Sequence, residues 1–462
     1  ARHPSVGDVR GLGVFWAAGH SMAPDATRPH QADANKRKKG KAPTVMKFAM
    51  ACYGSRGDVE PSLAIGRELQ RRGHEVRIAV PPGLIDFAAS AGLTATPYGP
   101  PLESFLTEDF LRTFWATLFR HPSKSLRQLW DPIIRHWGET SDTLKALAQD
   151  ADLLSTGLNY EQPAANIAEY YDIPLVTLHH FPMRPNGQLV PALPSPVVRS
   201  AGTVFEWLFW RSTKETENQQ RRELGLPMAT VPSPKRIAQR GSLEIQAYDD
   251  ISVPGLAHEW RKWGGQRPFV GALTMELTTN TDDQVTSWIA AGKPPICFAT
   301  GSIPVESPAD TIEMISAACA QLGERGLVCS GGTDFSDVPL PGNVMVVGEV
   351  NYATVFAASR AIVHHGGSGT TAASLRAGVP TLILWNSGDQ PYWGNQLKRL
   401  KVGTARRFSQ TNSDSLVADL RRILTPEYAF RAREFASRMS EPTSSVTKAA
   451  DLFEAAVRRQ AF

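Results

Sequence analysis

The residues best suited to chemistry form one short run in the second half of the chain. In order they are His364, His365, Gly366, Gly367, Ser368, Gly369, Thr370 and Thr371, after an apolar segment and before a helical pattern. Glycines let the backbone approach a ligand closely, and a helix N-terminus offers free N–H groups and a dipole that favours anions. The hydroxyls and the imidazole of His365 add hydrogen-bond donors. The run therefore predicts a phosphate-binding turn; the alternative is a tight strand-to-helix turn that binds nothing.

A second polar pair, Asp389 and Gln390, follows the next predicted strand at 381–384. In a parallel sheet the carboxyl ends of the strands border the ligand crevice. A carboxylate and an amide together can accept from and donate to the vicinal hydroxyls of a sugar. We therefore expect this pair to bind the sugar part of a ligand. The alternative is a helix N-cap with ordinary surface polarity.

A third candidate, Asp58, lies in the turn that follows the apolar run 47–53. The turn reads Gly54, Ser55, Arg56, Gly57, Asp58. A carboxylate at the end of the first strand of an α/β sheet can take the proton of an attacking hydroxyl. The alternative is that Asp58 only caps the following helix. Arg56 is either a structural partner within the loop or a phosphate contact, and the sequence leaves both open.

Two series of alternating strands and helices are needed to position these residues. The first opens with a strand–turn–helix–strand unit over 47–80, and later strands are predicted at 153–156 and 175–178. The second has predicted strands at 294–300, 326–329, 344–347, 361–363 and 381–384. Each series predicts a doubly wound parallel sheet of the α/β class. The Pro-, Gly- and Trp-containing segment 253–271 is predicted to be the linker between them.

Composition excludes several other classes of protein. The 462 residues carry a formal net charge of +4, which argues against nucleic acid as a partner. The four cysteines form no metal-ligand spacing and are expected to be reduced and buried, as in a cytoplasmic protein. No apolar run reaches the roughly 18–20 residues of a membrane span. Residues 1–45, rich in His, Pro, Gly and Ala and ending in a basic run, are expected to be a disordered or non-native extension.

A metal site is not expected. The spacing of Asp150 and Asp152 fits an Asp-x-Asp metal motif. However, the motif precedes the predicted strand at 153–156, whereas ligand-binding residues follow strands. We therefore interpret it as a helix-to-strand turn.

The chain resembles the GT-B glycosyltransferases in two motifs, one in each series. The turn ending at Asp58 matches the opening loop of that family, and the stretch from Gly348-Glu349-Val350 through His365 to Gln390 matches its nucleotide-sugar motif. The similar branch includes sterol glucosyltransferases, glycopeptide-antibiotic glycosyltransferases and mycobacterial glycolipid glycosyltransferases. The resemblance implies two Rossmann-like domains facing each other across a cleft. The implied boundaries are 46–265 for acceptor binding, 266–440 for nucleotide-sugar binding and 441–462 for a helix packing back on the first domain.

The resemblance also implies a role for each site residue. Asp58 would be the catalytic base, and Asp389 and Gln390 would hold the donor sugar. The remaining donor-binding residues would be Ser55, Arg56, Gly57, Gly301, Ser302, Val350, His365, Gly366, Gly367, Ser368, Gly369 and Thr370. A Trp-x-Pro-Gln stretch found near this point in plant-type members is missing near Val350, so the nucleobase stays open.

The acceptor side is less defined by sequence. His179, His180 and Trp393 are candidates for acceptor contact, and the alternative for the two histidines is a partly buried, hydrogen-bonded pair. Two aromatic helical stretches offer a groove for an apolar acceptor, a membrane-facing surface or ordinary core. They contain Phe105, Phe110, Phe114, Trp115, Phe119, Trp130 and Trp137, and then Phe205, Trp207, Phe209 and Trp210.

Together these features predict an inverting transfer of a hexose, or a deoxyhexose such as rhamnose, from a UDP- or dTDP-sugar. The acceptor would be a hydroxyl of a lipid or glycolipid, with a sterol, polyketide or glycopeptide as the alternative. No cofactor or metal is expected beyond the nucleotide sugar, and the expected location is the cytoplasm or the inner face of the cell membrane. The same fold also serves sugar-nucleotide epimerases and inactive auxiliary proteins. The oligomeric state is left open.

Overall fold

The computed structural model describes residues 45–101, 131, 134–277, 279–301, 304–386 and 388–460. Most of the predicted extension 1–45, residue Ser302 and the aromatic residues from Phe105 to Trp130 lie outside these ranges. Of the helices that the structure describes, none combines the length and hydrophobicity that a bilayer span requires.

Two six-stranded parallel sheets form the framework. The first contains β1 (Lys47–Ala51), β2 (Glu75–Val80), β3 (Ala95–Pro97), β4 (Leu153–Thr156), β5 (Leu175–His179) and β6 (Leu243–Gln246). The second contains β7 (Ile296–Ala299), β8 (Gly326–Cys329), β9 (Val344–Val347), β10 (Ala361–His364), β11 (Thr381–Trp385) and β12 (Gly403–Arg407). Their orders are β3-β2-β1-β4-β5-β6 and β12-β11-β10-β7-β8-β9. Each order is that of a Rossmann-like sheet, which confirms the predicted α/β class.

Helices connect the strands, as the right-handed crossovers of a parallel sheet require. In the first half they are α1 (Arg56–Arg71), α2 (Ile85–Ser90), α3 (Trp137–Ala148), α4 (Glu161–Tyr170), α5 (Ser195–Glu223), α6 (Ser233–Gln239) and α7 (Leu256–Trp260). In the second half they are α8 (Asp282–Ala290), α9 (Pro308–Leu322), α10 (Tyr352–Ala357), α11 (Ser368–Arg376), α12 (Gln390–Leu400), α13 (Ser413–Ile423), α14 (Pro426–Ala436) and α15 (Pro442–Gln460).

The strands form where the sequence has short apolar runs, because a parallel sheet is covered on both faces. In β1, Phe48 and the three residues after it are buried. All four residues of β10 and the first four of β11 are buried as well. Helix α1 turns one apolar face to this sheet, with Val59, Leu63 and Leu69 fully buried. The predicted strand 47–53 ends two residues early, because the chain leaves the sheet at Cys52 to enter the turn before α1.

The last helix packs on the first sheet. The ring of Phe453 in α15 is fully buried, 6.1 Å from the ring of Phe48 in β1. Arg72, at the end of α1, donates to Asp451 and Glu454 at 2.7 and 2.9 Å. Because α15 follows the second sheet in the chain, this packing ties the two halves together.

Arg376 of α11 forms hydrogen bonds with the segment that connects the two sheets. Its guanidinium donates to the Ala272 carbonyl at 2.7 Å, the Thr274 hydroxyl at 2.9 Å and the Ser440 carbonyl at 3.0 Å. These bonds join the linker and the chain just before α15 to the helix that carries the glycine-rich run. The bonds lie at the C-terminal end of α11, at the opposite end of this helix from the glycine-rich turn.

Candidate active site

The imidazole of His365 lies between two glycines at the switch point of the second sheet. This point is the crevice between β7 and β10, where the strand order reverses. A Cβ atom on Gly301, after β7, would lie 2.6 Å from the ring, and one on Gly367 would lie 2.5 Å from it. Only glycine at both places leaves room for this histidine. Gly301 also has φ +85°, a conformation that favours glycine.

The N-terminus of α11 is open for a ligand. Gly367 is the N-cap and has no side chain to occupy the first N–H groups of the helix. The first three helical residues are Ser368, Gly369 and Thr370, whose N–H groups have no partner within an α-helix. Such a terminus attracts anions through its N–H groups and its dipole. With His365 beside it, this end of α11 presents a group of hydrogen-bond donors suited to an anionic ligand.

His364 and Gly366 shape the turn itself. The Gly366 N–H donates to Nδ1 of buried His364 at 3.0 Å, and the other ring nitrogen lies 3.4 Å from the Ser374 hydroxyl. Gly366 has φ +97°, and a Cβ there would meet Ile383 at 2.7 Å and Gln390 at 3.2 Å. The glycine therefore allows the turn to lie directly against the start of α12. The structural role of His364 was not predicted, although its place at the end of a buried strand was a usable signal.

Asp389 and Gln390 lie at the same edge, next to the turn. The half-buried Asp389 accepts a hydrogen bond from the Trp393 indole N–H at 3.0 Å. Gln390 is nearly buried, and its side-chain oxygen accepts from the Asn386 N–H at 2.8 Å. Trp393, 3% exposed, packs against Tyr248 and orients Asp389. This buried position replaces the predicted acceptor contact for Trp393.

Asp58 is the third residue of α1 and closes a capping box with Ser55. Its Oδ2 accepts from the Ser55 N–H at 2.7 Å and from the Ser55 hydroxyl at 2.9 Å. Gly57 lies between them in the first helical turn, where the sequence predicted a loop. Asp58 thus caps the helix, as the alternative stated, and its Oδ1 is directed elsewhere.

That second oxygen faces His180, just beyond β5. Nε2 of His180 lies 3.2 Å from Asp58 Oδ1, and both side chains are partly exposed. His179 differs, because successive side chains of a strand point to opposite faces. It is fully buried, with its ring 3.1 Å from Glu161, which also pairs with buried Arg184 at 2.7 Å. His179 is therefore enclosed in an ion-pair cluster, and its side chain does not line the cleft as the predicted acceptor contact requires.

The opening loop reaches the second half of the molecule through Arg56. Its guanidinium lies 2.6 Å from Glu349 and 4.3 Å from the centre of the Phe87 ring. The structural role left open for Arg56 is thus present in the structure. Val350, beside Glu349, has its side chain in the core, so it can offer a ligand only its backbone. The Arg56–Glu349 pair was missed by sequence because no local pattern links residues this far apart.

The candidate residues of the two halves share one cleft. Burial raises the pKa of Asp389, and the nearby Asp58 carboxylate raises it further, whereas His180 lowers it. The rings of Phe181 and Tyr392 lie 4.9 Å apart at the same place. Asp58, His180 and Asp389 therefore feel one another across the gap between the sheets.

Comparisons with known proteins agree with this arrangement. Residues 330–455 match the model of the erythromycin biosynthesis protein CIII-like C-terminal domain, and residues 48–145 match the glycosyltransferase family 28 N-terminal domain. An uncharacterized glycosyltransferase of Mycobacterium tuberculosis is 56% identical over 417 residues, which cover 90% of this chain and 100% of that protein. The chain belongs to the GT-B glycosyltransferases. A sterol 3-beta-glucosyltransferase of Arabidopsis thaliana is 26% identical over 431 residues, covering 88% of this glycosyltransferase and 68% of the plant protein.

Solved structures show the same fold. The calicheamicin glycosyltransferase matches with a TM-score of 0.63 at 19% identity, covering 90% of this glycosyltransferase and 99% of that chain. The glycosyltransferase VinC, crystallised with dTDP, matches with a TM-score of 0.61 at 16% identity, covering 90% and 100%. Both confirm the predicted pair of Rossmann-like sheets facing across a cleft.

Replacing His365 should weaken nucleotide-sugar binding. Burial lowers the pKa of His365 to about 4, so the ring is neutral at pH 7 and acts as a hydrogen-bond donor. We expect His365→Ala to raise the Kd of UDP- or dTDP-glucose by roughly ten- to a hundredfold, the value of one hydrogen bond to a charged group. Isothermal titration calorimetry measures this, with exposed His136→Ala as the control.

The pH dependence provides a separate check on His365. Its folded pKa lies below that of an unfolded histidine, near 6.5. The contribution of His365 to the free energy of unfolding is therefore fully present above about pH 6.5. It is lost as the pH falls towards 4, because the buried ring must then take up a proton. Affinity for a nucleotide sugar should show no His365 step between pH 8 and 5.5. If the affinity instead increased as the pH fell through about 6.5, and His365→Asn abolished this increase, the neutral state of the His365 ring would be contradicted.

Proposed function

We propose that this glycosyltransferase moves a hexose or deoxyhexose from a UDP- or dTDP-sugar to a hydroxyl of a lipid or another hydrophobic acceptor, with inversion. One observation supports this most strongly. The carboxylate of Asp58, with one oxygen turned to the cleft, interacts electrostatically with Asp389, and Gln390 next to Asp389 packs against the glycine turn that opens α11. A base for the acceptor and a cradle for the leaving diphosphate thus border a single space.

The donor half has the groups that a departing diphosphate needs. As the bond from the anomeric carbon to the diphosphate oxygen breaks, negative charge grows on that oxygen. The N–H groups of Ser368, Gly369 and Thr370 and the ring of His365 are already in place to stabilise it. Preorganised donors of this kind can replace a metal ion at the leaving group. We therefore propose that the reaction proceeds without a metal or a further cofactor.

The acceptor half supplies the base. Oδ2 of Asp58 is held by Ser55, which fixes the carboxylate and leaves Oδ1 for the acceptor. That oxygen takes the hydroxyl proton while the acceptor oxygen attacks the anomeric carbon from the face opposite the diphosphate. One such displacement inverts the configuration at that carbon.

An apolar acceptor fits the surface beyond the cleft. Among the described residues, eight of the twelve exposed large hydrophobic side chains lie between residues 183 and 208. They are Met183, Val190, Leu193, Val197, Val204, Phe205, Trp207 and Leu208. The relative from Arabidopsis thaliana named as a sterol glucosyltransferase supports an apolar alcohol as the acceptor. We call residues 183–208 the apolar ridge and propose that it approaches a membrane that holds the acceptor.

The function is tested by supplying UDP- and dTDP-hexoses with a panel of glycolipid, sterol and polyketide alcohols. Mass spectrometry detects the product, and the proton coupling at the new anomeric carbon shows its configuration. We expect inverted product on a lipid alcohol, with equal rates with and without EDTA. Retained configuration, or epimerised donor in the absence of any acceptor, would refute the proposed reaction.

Removing the aromatic side chains of the apolar ridge should weaken membrane binding. Phe205 and Trp207 are each 48% exposed. Because each buries apolar area in a bilayer interface, we expect Phe205→Ser/Trp207→Ser to bind vesicles roughly ten- to a hundredfold more weakly. Co-sedimentation with phosphatidylglycerol–phosphatidylcholine vesicles measures this.

A matched control is Phe430→Ser in α14, since Phe430 is 64% exposed and lies outside the ridge. That variant should bind vesicles as the wild type does. Turnover of a short-chain, water-soluble acceptor should be unchanged in both. Equal vesicle binding by the ridge variant and the wild type would exclude the ridge as the membrane contact.

A further inference from the structure

The carboxylate of Asp389 is bonded to a tryptophan side chain and does not cap its helix. Asp389 is the N-cap of α12, a position where an aspartate usually accepts from the first N–H groups of the helix. Its side chain makes no such bond, and Pro391, the second helical residue, has no N–H to offer. The carboxylate accepts from the Trp393 indole N–H at 3.0 Å. The direction of this carboxylate is therefore set by Trp393 and not by the helix start.

Trp393 is itself held in one orientation by its neighbours. The side chain is 3% exposed and belongs to the apolar core beneath α12. Its ring lies edge-on to the ring of Tyr392 at 5.4 Å and to the ring of Tyr248 at 5.9 Å. The indole therefore cannot turn its N–H away from Asp389 without moving this core.

The Tyr248 ring that supports Trp393 comes from the first half of the molecule. Tyr248 follows β6 by two residues and is 3% exposed. Its hydroxyl donates to the Gln246 side-chain oxygen at 2.8 Å, and the Gln246 side-chain amide donates to the Glu244 carbonyl at 2.7 Å. Because both partners belong to β6, the first sheet fixes the Tyr248 ring. Asp389, in the second half, is thus oriented through a side chain of the first half.

We propose that Trp393, supported by Tyr248, is a positioning residue that directs the Asp389 carboxylate at a hydroxyl of the donor sugar. The fixed carboxylate makes the enzyme select nucleotide sugars that present a hydroxyl at this place over those that lack it or carry it on the other face of the ring. This inference rests on the proposed function, in which Asp389 borders the space for the donor.

The charge of Asp389 gives such a contact its selectivity. Burial raises the pKa of Asp389, His180 lowers it, the Asp58 carboxylate raises it and the Trp393 hydrogen bond lowers it. The indole N–H therefore favours the ionised form, whose hydrogen bonds are about twice as strong as those of neutral groups. A sugar without the hydroxyl leaves this half-buried carboxylate unpaired. For that reason a polar site rejects such analogues more strongly than an apolar pocket does.

The test compares the Kd values of UDP- and dTDP-sugars that differ at one hydroxyl, measured by isothermal titration calorimetry. The sugars are glucose, galactose and the monodeoxy forms of glucose. In Trp393→Phe we expect the ratio between the weakest and the tightest Kd to fall by roughly tenfold, the value of one hydrogen bond to a charged group. The Kd of UDP and dTDP themselves should stay within about twofold, because neither carries a sugar. A folded Trp393→Phe protein that kept the wild-type ratio would overturn the proposal.

Trp260→Phe is the matched control for the loss of ring volume. Trp260 lies in the same core and is 4% exposed. Within the part of the chain that the structure describes, its indole N–H has no hydrogen-bond partner. Trp260→Phe should therefore lower the melting temperature about as much as Trp393→Phe and keep the wild-type Kd ratio. An equal fall of the ratio in both variants would assign the effect to packing and refute the positioning role.

Two further variants separate the positioning role from the proposed function. Tyr248→Leu removes the support from the first half and leaves Trp393 in place, so it tests the arrangement even if Trp393→Phe does not fold. We expect its Kd ratio to fall by about three- to tenfold, the value of an ordinary hydrogen bond. If Asp389→Asn keeps the wild-type ratio, the proposed placement of the donor sugar fails. A lowered ratio in Asp389→Asn beside wild-type ratios in Trp393→Phe and Tyr248→Leu refutes the positioning role alone.

Discussion

Asp58→Asn should abolish most of the transfer activity and leave the protein folded with its donor bound. We expect kcat/KM to fall by about 10²–10⁴, the usual contribution of general base catalysis. The amide oxygen of asparagine can still accept from the Ser55 N–H and so keep the capping bond, which is 2.7 Å in the wild type. Loss of activity can then be separated from loss of the helix cap. Initial rates with a saturating nucleotide sugar measure the effect.

Two measurements make this result specific. The Kd of the nucleotide sugar should stay within about twofold of wild type, because the diphosphate cradle lies on α11 in the other half of the molecule. Asp310→Asn is the matched control, since Asp310 is also the third residue of a helix, α9, and is exposed. That variant should keep wild-type activity. Full turnover by Asp58→Asn would remove Asp58 from the mechanism.

The sequence predicts the framework well because the strands of a parallel sheet are continuous apolar runs. Strands β8 and β9 lie where they were predicted, and β10 and β11 are each one residue longer. The loop before Asp58 was predicted less well. Ser55 and Asp58 form a capping box that starts α1 at Arg56, so three residues of the supposed turn, Arg56, Gly57 and Asp58, are helical. The hydrogen bonds of the capping box set the start of this helix, and the periodicity of apolar residues carries no information about them.

The side-chain directions at the strand ends could not be predicted. One of His179 and His180 had to point away from the cleft, because successive side chains of a strand alternate, but the sequence does not say which. Burial of Glu161 and Arg184 decided it by enclosing His179 in an ion-pair cluster. Such a cluster joins residues far apart in the chain, as does the pairing of Arg56 with Glu349. Contacts of this kind exist only once the sheets have assembled.

Gly54→Ala should lower kcat/KM almost as much as Asp58→Asn, although it removes no reactive group. Gly54 has φ +143°, and a Cβ there would lie 2.3 Å from Oδ2 of Asp58 and 2.5 Å from its Cγ. Alanine must therefore push the Asp58 side chain out of its place and break its bonds to Ser55. We expect kcat/KM to fall by about 10²–10³ while the Kd of the nucleotide sugar is unchanged.

The variant Gly73→Ala serves as a control that separates the effect of this clash from the effect of backbone strain. Gly73, at the other end of the same strand–helix–strand unit, has φ +85°, but a Cβ there would meet nothing within 4 Å. Gly73→Ala should cost about 1–2 kcal/mol of stability from its left-handed backbone and leave kcat/KM near wild type. Combining Gly54→Ala with Asp58→Asn should add little to the loss in Asp58→Asn, because the displaced carboxylate is already absent. If a folded Gly54→Ala protein turned over like wild type, catalysis would not depend on where Ser55 and Gly54 hold the carboxylate. The base would then have to be sought elsewhere in the cleft.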